Sequence, residues 1–372
     1  MSNLRPATIE EVQAAVQAQP RLLPRGSGSK PSLSTPPLDT SRLELAGLSQ
    51  VLEYEPEEYT FTALAGTPVA EVETLLAQHG QYLPFDPLLA ERGATLGGTV
   101  AANASGPGRY RYGGVRDFLL GVRFVDGEGR LVRGGSKVVK NSAGFDIAKL
   151  MVGSLGRLGV LVELTFKVFP RPEAYATLKV EYPSLTAALA AIYRLNTSPL
   201  ELNALDLEPI SPSLKHQNCT LWLRLGGLAD ALPGRLERLR NFLMSSTDGA
   251  GQVQAFGGAE DEMYWKKMRE LARAPAGWAL VKVPLTPGQI PALEAQLKGK
   301  GGHQRYSVGG NLAWLTWPAD LGTLDAILKS LNLMGLVLFG ASGRLRLGAY
   351  AGEALLRRVK QALDPAGRFL EV

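Results

Sequence analysis

Gly93-Ala94-Thr95-Leu96-Gly97-Gly98-Thr99-Val100-Ala101-Ala102-Asn103-Ala104-Ser105-Gly106 is the most informative segment of the chain. Eleven of its fourteen residues are Gly, Ala, Ser or Thr, so its side chains supply little core. A run of small residues lets a backbone approach something closely, either a neighbouring helix or a ligand. Free N–H groups in such loops and at helix starts also cradle phosphate oxygens. Tight helix packing and a ligand cradle both remain open on this segment alone.

Two further clusters lie on either side. Arg25-Gly26-Ser27-Gly28-Ser29-Lys30 places small residues between two cations, and Gly153-Ser154-Leu155-Gly156-Arg157-Leu158-Gly159 runs directly into an alternating strand pattern. Each alone reads as a turn. Three in one stretch point to a long ligand carrying a diphosphate. The sequence holds neither a Gly-x-x-x-x-Gly-Lys-Ser/Thr phosphate loop nor a strand followed by Gly-x-Gly-x-x-Gly with an acidic partner. FAD on a non-Rossmann scaffold is the remaining natural candidate.

Composition narrows the chemistry. Glycine accounts for 42 of 372 residues, against a usual share of about 7%. The charge sum, 40 basic less 35 acidic residues, gives only +5 and does not predict nucleic-acid binding. Cys219 stands alone, which excludes an internal disulfide, a cysteine-held zinc and an Fe–S cluster held by this chain. His79, His216 and His303 form no metal-ligand spacing, so no metal site is expected. The apolar run at residues 333–339 is far short of the ~20 residues that cross a bilayer. No signal-peptide core follows Met1, and a cytoplasmic location is expected.

The pattern predicts a first domain over residues 1–172. Thr8-Ile9-Glu10-Glu11 is a capping box opening a helix. Thr67 reads as an N-cap with Pro68 at the first helical position. Asp126-Gly127 reads as a type I′ hairpin turn, and residues 160–168 as a half-buried strand ended by Pro170. From 173 to 330 the order reads strand, helix, strand, strand, helix, and a similar order recurs from Trp278 as strand, helix, strand, helix; the two units predict a tandem ferredoxin-like antiparallel sheet. Residues 331–372 are expected to pack back on the first domain. The fold class is therefore α+β.

Leu23-Pro24-Arg25-Gly26-Ser27-Gly28-Ser29, the segment 94–103 and the segment 153–160 resemble, in order and spacing, the FAD-binding domain of the vanillyl-alcohol oxidase (PCMH-type) flavoproteins. Val139-Lys140-Asn141-Ser142-Ala143-Gly144-Phe145-Asp146-Ile147 is most similar to the E subunit family of bacterial glycolate oxidase. The likeness spans residues 5–172 and the motif Asp364-Pro365-Ala366-Gly367-Arg368-Phe369. It implies a PCMH-type FAD domain of two α/β subdomains, with the ferredoxin-like part as a cap. By that resemblance Arg25, Gly26, Ser27, Gly28 and Ser29 wrap the FAD pyrophosphate. Pro84, Phe85, Asp86 and Pro87, with Ala94, Thr95, Gly97, Gly98 and Thr99, line the pyrophosphate and flavin side. Asn103, Ser105 and Gly106 lie near the isoalloxazine, and Gly153, Ser154, Gly159 and Val160 near the ribityl and adenine parts. Some relatives attach FAD through a histidine of the first loop; Ser27, Ser29 and Lys30 stand there instead, so non-covalent FAD is expected.

The resemblance further implies a subunit of a glycolate oxidase complex. Its partners are a larger flavoprotein subunit and an iron–sulfur subunit, any inner-membrane attachment is made through them, and the substrate is a small 2-hydroxy acid. A self-sufficient flavin enzyme for another hydroxy acid or alcohol, and a non-catalytic flavin carrier, are the alternatives. Hydroxy-acid oxidation needs a cation for the carboxylate and a base for the hydroxyl proton. Arg109, Arg111 and Arg116 are candidates for the first, as are Arg305, Arg344 and Arg346, and His303 is the candidate base. For each, a structural or simply exposed role is the commoner reading. Tyr110 and Tyr112 are candidates to cover the flavin. The family's histidine-rich metal stretch and its C-terminal Asn-Pro-Gly are absent here, the latter replaced by Leu370-Glu371-Val372.

Overall fold

The computed structural model describes residues 2–135, 146–210, 218–245, 249–271, 275, 277–318, 320–340 and 343–371. Residues 139–145 of the glycolate-oxidase-like stretch, and His216, lie outside the described residues. The chain forms two compact units. The first comprises Met1–Gly106, Gly113–Arg171 and Ala351–Val372; the second comprises Pro107–Tyr112 and Pro172–Tyr350.

In the first unit, β1 (Asn3–Leu4), β2 (Leu22–Arg25) and β3 (Ser41–Glu44) make a parallel sheet in the order β1-β3-β2. The helix Ile9–Ala18 buries Val12 and Val16. Thr8 caps its first turn as expected, Oγ1 accepting from Glu11 N at 3.2 Å, but the reciprocal half of the box is shifted, the Glu11 carboxylate accepting from Ala7 N at 2.7 Å. The remaining strands of this unit are β4 (Val51–Glu55), β5 (Thr60–Leu64), β6 (Gln81–Tyr82), β7 (Leu119–Val125), β8 (Leu131–Gly135), β9 (Val160–Lys167) and β10 (Phe169–Pro170). Five of them form an antiparallel sheet in the order β4-β5-β9-β7-β8, and β6 pairs with β10. Phe369 bridges Leu22 beside β2 and joins Val12, Val16, Val125 and Val160 in one buried cluster, which draws the C-terminal segment into this core.

Three local expectations are corrected here. The β7–β8 connection is not a two-residue turn at Asp126-Gly127. Asp126 Oδ1 instead accepts from the N–H groups of Glu128 and Arg130, both at 2.9 Å, and Gly129 takes the positive φ of 79°. An aspartate bonding two later amides stabilises the longer loop. Thr67 does not cap the helix Val69–Ala77, whose N-cap is Pro68. Its hydroxyl is held by Gln50, accepting from the backbone N at 3.0 Å and donating to the carbonyl at 3.2 Å. Finally, β9 is covered on both faces. As the central strand between β5 and β7 it buries Leu161 and Thr165 as well as Val160, Val162, Leu164 and Phe166.

The second unit is built on β11 (Ala174–Tyr182), β12 (Ala204–Glu208), β13 (Cys219–Gly227), β14 (Val253–Gly257), β15 (Ala279–Pro284), β16 (His303–Ser307), β17 (Leu312–Trp317), β18 (Met334–Phe339) and β19 (Arg346–Gly348). They form one antiparallel sheet in the order β14-β11-β13-β12-β16-β17-β15-β18-β19. Its first four strands, numbered within their half, run 4-1-3-2, and the next four run 2-3-1-4. Both are the ferredoxin-like order. The halves therefore meet through their second strands, β12 and β16. Alternation decides the faces. Leu205, Leu207, Leu221, Leu223, Val281 and Leu315 pack with the helices Leu185–Asn196, Leu232–Met244, Ile290–Leu297 and Gly322–Ser330 in one core. The opposite face carries Ala204, Asp206, Trp222 and Arg224, and there the helix Gly258–Arg269 contributes Trp265 and Met268. Because β18 and β19 complete this sheet, the return to the first unit begins at Ala351 and not at 331.

Candidate cofactor site

The three glycine clusters converge on one cavity in the first unit. It holds about 590 Å³ of empty space including its mouth, and its lining comes from the end of β2, the segment 95–102 and the loop 155–159. Arg25, Gly26, Thr95, Gly97, Gly98 and Gly159, all expected in the site, line it. Gly26 is required by close approach. A Cβ there would overlap Thr95 Oγ1, and that hydroxyl is already engaged as N-cap of the helix Leu96–Ala101, accepting from Gly98 N at 3.2 Å. On the other side the Gly97 N–H donates to the Ala65 carbonyl at 2.7 Å, which ties the segment to the end of β5.

The other expected residues surround this cavity or serve the backbone. Ser29 Oγ accepts from Lys30 Nζ at 3.3 Å, Ser27 lies near Gly93, and Gly28 is covered by the Arg25 guanidinium. Asp86 accepts through its carbonyl from Gly106 N at 2.8 Å, and Pro87 bridges Ser105. The Ser105 hydroxyl is taken by Val115 N at 2.9 Å. Ala94 accepts through its carbonyl from Val69 N, while Gly153 N donates to Val100. Gly153 packs against the Asn103 side chain, and Asn103 adopts a φ of 47°. Pro84 lies one residue before the buried Phe85. Thr99 Oγ1 and Ser154 Oγ are buried and have no hydrogen-bond partner among the described residues. Val160 does not face the cavity; its side chain belongs to the hydrophobic core, and Leu161, the next residue on β9, lines the cavity instead.

Sequence reasoning passed over Leu33, Ser34, Ala65 and Leu161 among the lining residues, and it gave Lys30 and Leu155, though inside the glycine clusters, no cofactor contact of their own. Leu161 was legible only if both faces of β9 are known to be covered. Lys30 carried a visible signal as the cation closing the first loop. Its ammonium group is buried, and burial lowers its pKa to about 8.

The C-terminal motif holds the third loop from behind. Lys360 Nζ donates to the Arg157 carbonyl at 2.9 Å, the Phe369 carbonyl at 2.9 Å and Asp364 Oδ2 at 2.5 Å. Asp364 accepts in turn from the N–H groups of Arg368 and Phe369, each at 2.9 Å.

The candidate catalytic side chains lie in the second unit, except Arg116, which is exposed on the first. Arg109 and Arg111 stand on the short helix Arg109–Tyr112. Arg111 pairs with Glu201 at 3.1 Å, Tyr110 donates to Asn196 at 2.8 Å, and Tyr112 accepts from Asn203 at 3.3 Å. Arg305 is buried against Asp206, and burial lowers its pKa to about 9, still charged at neutral pH. His303 opens β16 and is no loop residue. Its ring stacks on Trp278 with centroids 5.2 Å apart and planes 7° apart. Arg344 pairs with Asp325 at 3.2 Å, and Arg346 lies over the Tyr350 ring. No helix among the described residues is long and apolar enough to cross a membrane.

The family model described as "FAD binding domain" matches residues 3–135. Along 98% of its length the chain is 33% identical to the glycolate oxidase subunit GlcE of Escherichia coli (strain K12), covering 95% of that protein. The chain belongs to the GlcE family of FAD-binding flavoproteins. A second relative, the glycolate oxidase subunit GlcD of Bacillus subtilis (strain 168), is 32% identical over 46% of this chain and 36% of that one. The fold is that of an alkyldihydroxyacetonephosphate synthase structure, with a TM-score of 0.72 at 17% identity over 98% of this chain and 76% of the other. For a GlcE-family chain the cavity fits its cofactor. Close-approach backbone replaces side chains around it, two cations line it, and the buried hydroxyls of Thr99 and Ser154 in the same segments lack partners among the described residues.

Proposed function

We propose that this chain is the FAD-binding subunit of a glycolate oxidase complex, working with a larger flavoprotein subunit and an iron–sulfur subunit in oxidising a 2-hydroxy acid to a 2-oxo acid. The observation that carries this reading is the joining of three glycine loops on one cavity in a chain that matches GlcE almost end to end. Arg25, Gly26, Thr95, Gly97, Gly98 and Gly159 would hold the dinucleotide, with the FAD non-covalent because Ser27, Ser29 and Lys30 occupy the first loop. FAD, when bound, supplies an acceptor for the electron pair and hydrogen leaving the hydroxyl-bearing carbon. The chain's own part is to exclude water and fix the diphosphate by oriented N–H groups.

A second reading, a flavin carrier whose chemistry lies in a partner, is favoured by the state of the candidate side chains. Arg111 and Arg305 both face carboxylates, and His303 is stacked on an indole. One experiment separates the two. The FAD-loaded chain is mixed anaerobically with glycolate and the oxidised-flavin absorbance followed. Bleaching establishes a substrate site in this chain. An unchanged spectrum with FAD bound assigns the oxidation to a partner. Acid precipitation of the same sample is expected to leave all flavin in the supernatant.

A further inference from the structure

Lys30 is the anomaly of the cofactor cavity. A lysine ammonium is almost never fully buried without a partner, because desolvation of the charge is costly. Lys30 is 5% exposed and lines the cavity. Among the described residues, the one hydrogen-bond partner of its ammonium is Ser29 Oγ, at 3.3 Å. Among the described residues, no carboxylate lines the cavity. The other charged lining residue is Arg25, and that guanidinium already feels Glu44. Two cations and no anion around one space leave a negative charge to be supplied by the occupant.

We propose that the Lys30 ammonium is the counter-charge for the diphosphate of the bound dinucleotide, so that this first loop binds by charge as well as by backbone N–H groups. The proposal rests on the FAD reading above. It accounts for a lysine placed where structural chemistry alone disfavours one. The lowered pKa, about 8, agrees with a site that is under-neutralised until its ligand enters. Since the diphosphate holds the protonated form, binding raises that pKa, and affinity falls as pH climbs through about 8 in the flavin-free chain.

The test uses the full chain freed of flavin, titrated with FAD and with ADP as a flavin-free diphosphate probe, alongside Lys30→Met. Lys30→Met is expected to weaken both ligands by roughly 10- to 100-fold at pH 7, as for loss of one charged hydrogen bond. The wild-type affinity should decline between pH 7 and 9 and that of Lys30→Met should not. Thermal unfolding supplies a readout that a merely structural role would not mimic. The flavin-free variant should melt at or above the wild-type temperature, having lost a buried charge, while its FAD-induced stabilisation shrinks. Equal affinities, or a variant that loses flavin-free stability in step with binding, would overturn the proposal. A wild-type chain that takes up neither FAD nor ADP would overturn the FAD reading with it, whereas wild-type binding matched by Lys30→Met would sink the Lys30 role alone.

Discussion

At the scale of single residues, the cavity depends on what is missing as much as on what is present. Gly26 has no Cβ because Thr95 Oγ1 already occupies that space while capping Leu96–Ala101. Gly26→Ala must displace Thr95 or β2, at about 1–3 kcal/mol for an overpacked site. The expected outcome is a chain that still unfolds cooperatively in urea, with its unfolding free energy lowered by that amount and its FAD titration lost. Lys30 makes the converse case, a side chain present against its own solvation. Its folded pKa of about 8 lies below the ordinary 10.5, so between those values the flavin-free folded chain binds fewer protons than the unfolded one. Stability relative to Lys30→Met should therefore rise from pH 8 to 10.5 and be flat below 8.

At the scale of elements, a segment more than two hundred residues away holds the third glycine loop. Lys360, on the helix Glu353–Leu363, gives its protons to Arg157 O, Phe369 O and Asp364. Lys360→Met leaves the buried Asp364 carboxylate without its counter-ion, held by the Arg368 and Phe369 N–H groups, and takes the ammonium donor from two carbonyls; breaking a buried pair from one side costs roughly 3–5 kcal/mol. Urea unfolding of the flavin-free chain should register that loss, and FAD affinity should fall because the 155–159 lining is released. The motif 364–369 was visible in the sequence, but the carbonyls it secures were not. Helix caps and strand periods, by contrast, are local, and Thr8 and β9 are both recognisable without the fold. Thr67 failed as a cap because Gln50, seventeen positions earlier, competes successfully for its hydroxyl.

At the scale of the molecule, the second unit is one sheet made by joining two ferredoxin-like halves. The seam is thin: β12 and β16 meet around Leu207 and Tyr306, and Gly309 N donates to Leu205 O at 2.8 Å. Arg305 and Asp206 cross it as a buried ion pair. Asp206→Leu or Arg305→Met alone strands a buried charge and should cost roughly 3–5 kcal/mol, while the double substitution should recover most of that loss. A double-mutant cycle in urea measures the difference. If the singles add in the double mutant, the pair does not join the halves. Arg305 thus has a structural use that competes with its candidacy for a substrate carboxylate.

The sequence by itself determined the cofactor class, the α+β composition and the doubled strand–helix order. Those rest on contiguous residues: glycines that must follow one another to expose N–H groups, and apolar periods of two or 3.6. Only the tertiary structure decided which side of β9 would line the cavity, where the C-terminal return begins, and which arginines are already spoken for. Asp206 and Arg305 are 99 positions apart, and Lys360 and Arg157 are 203 apart. Partners at such separations are set by how strands and helices pack, and no local pattern in the chain encodes them.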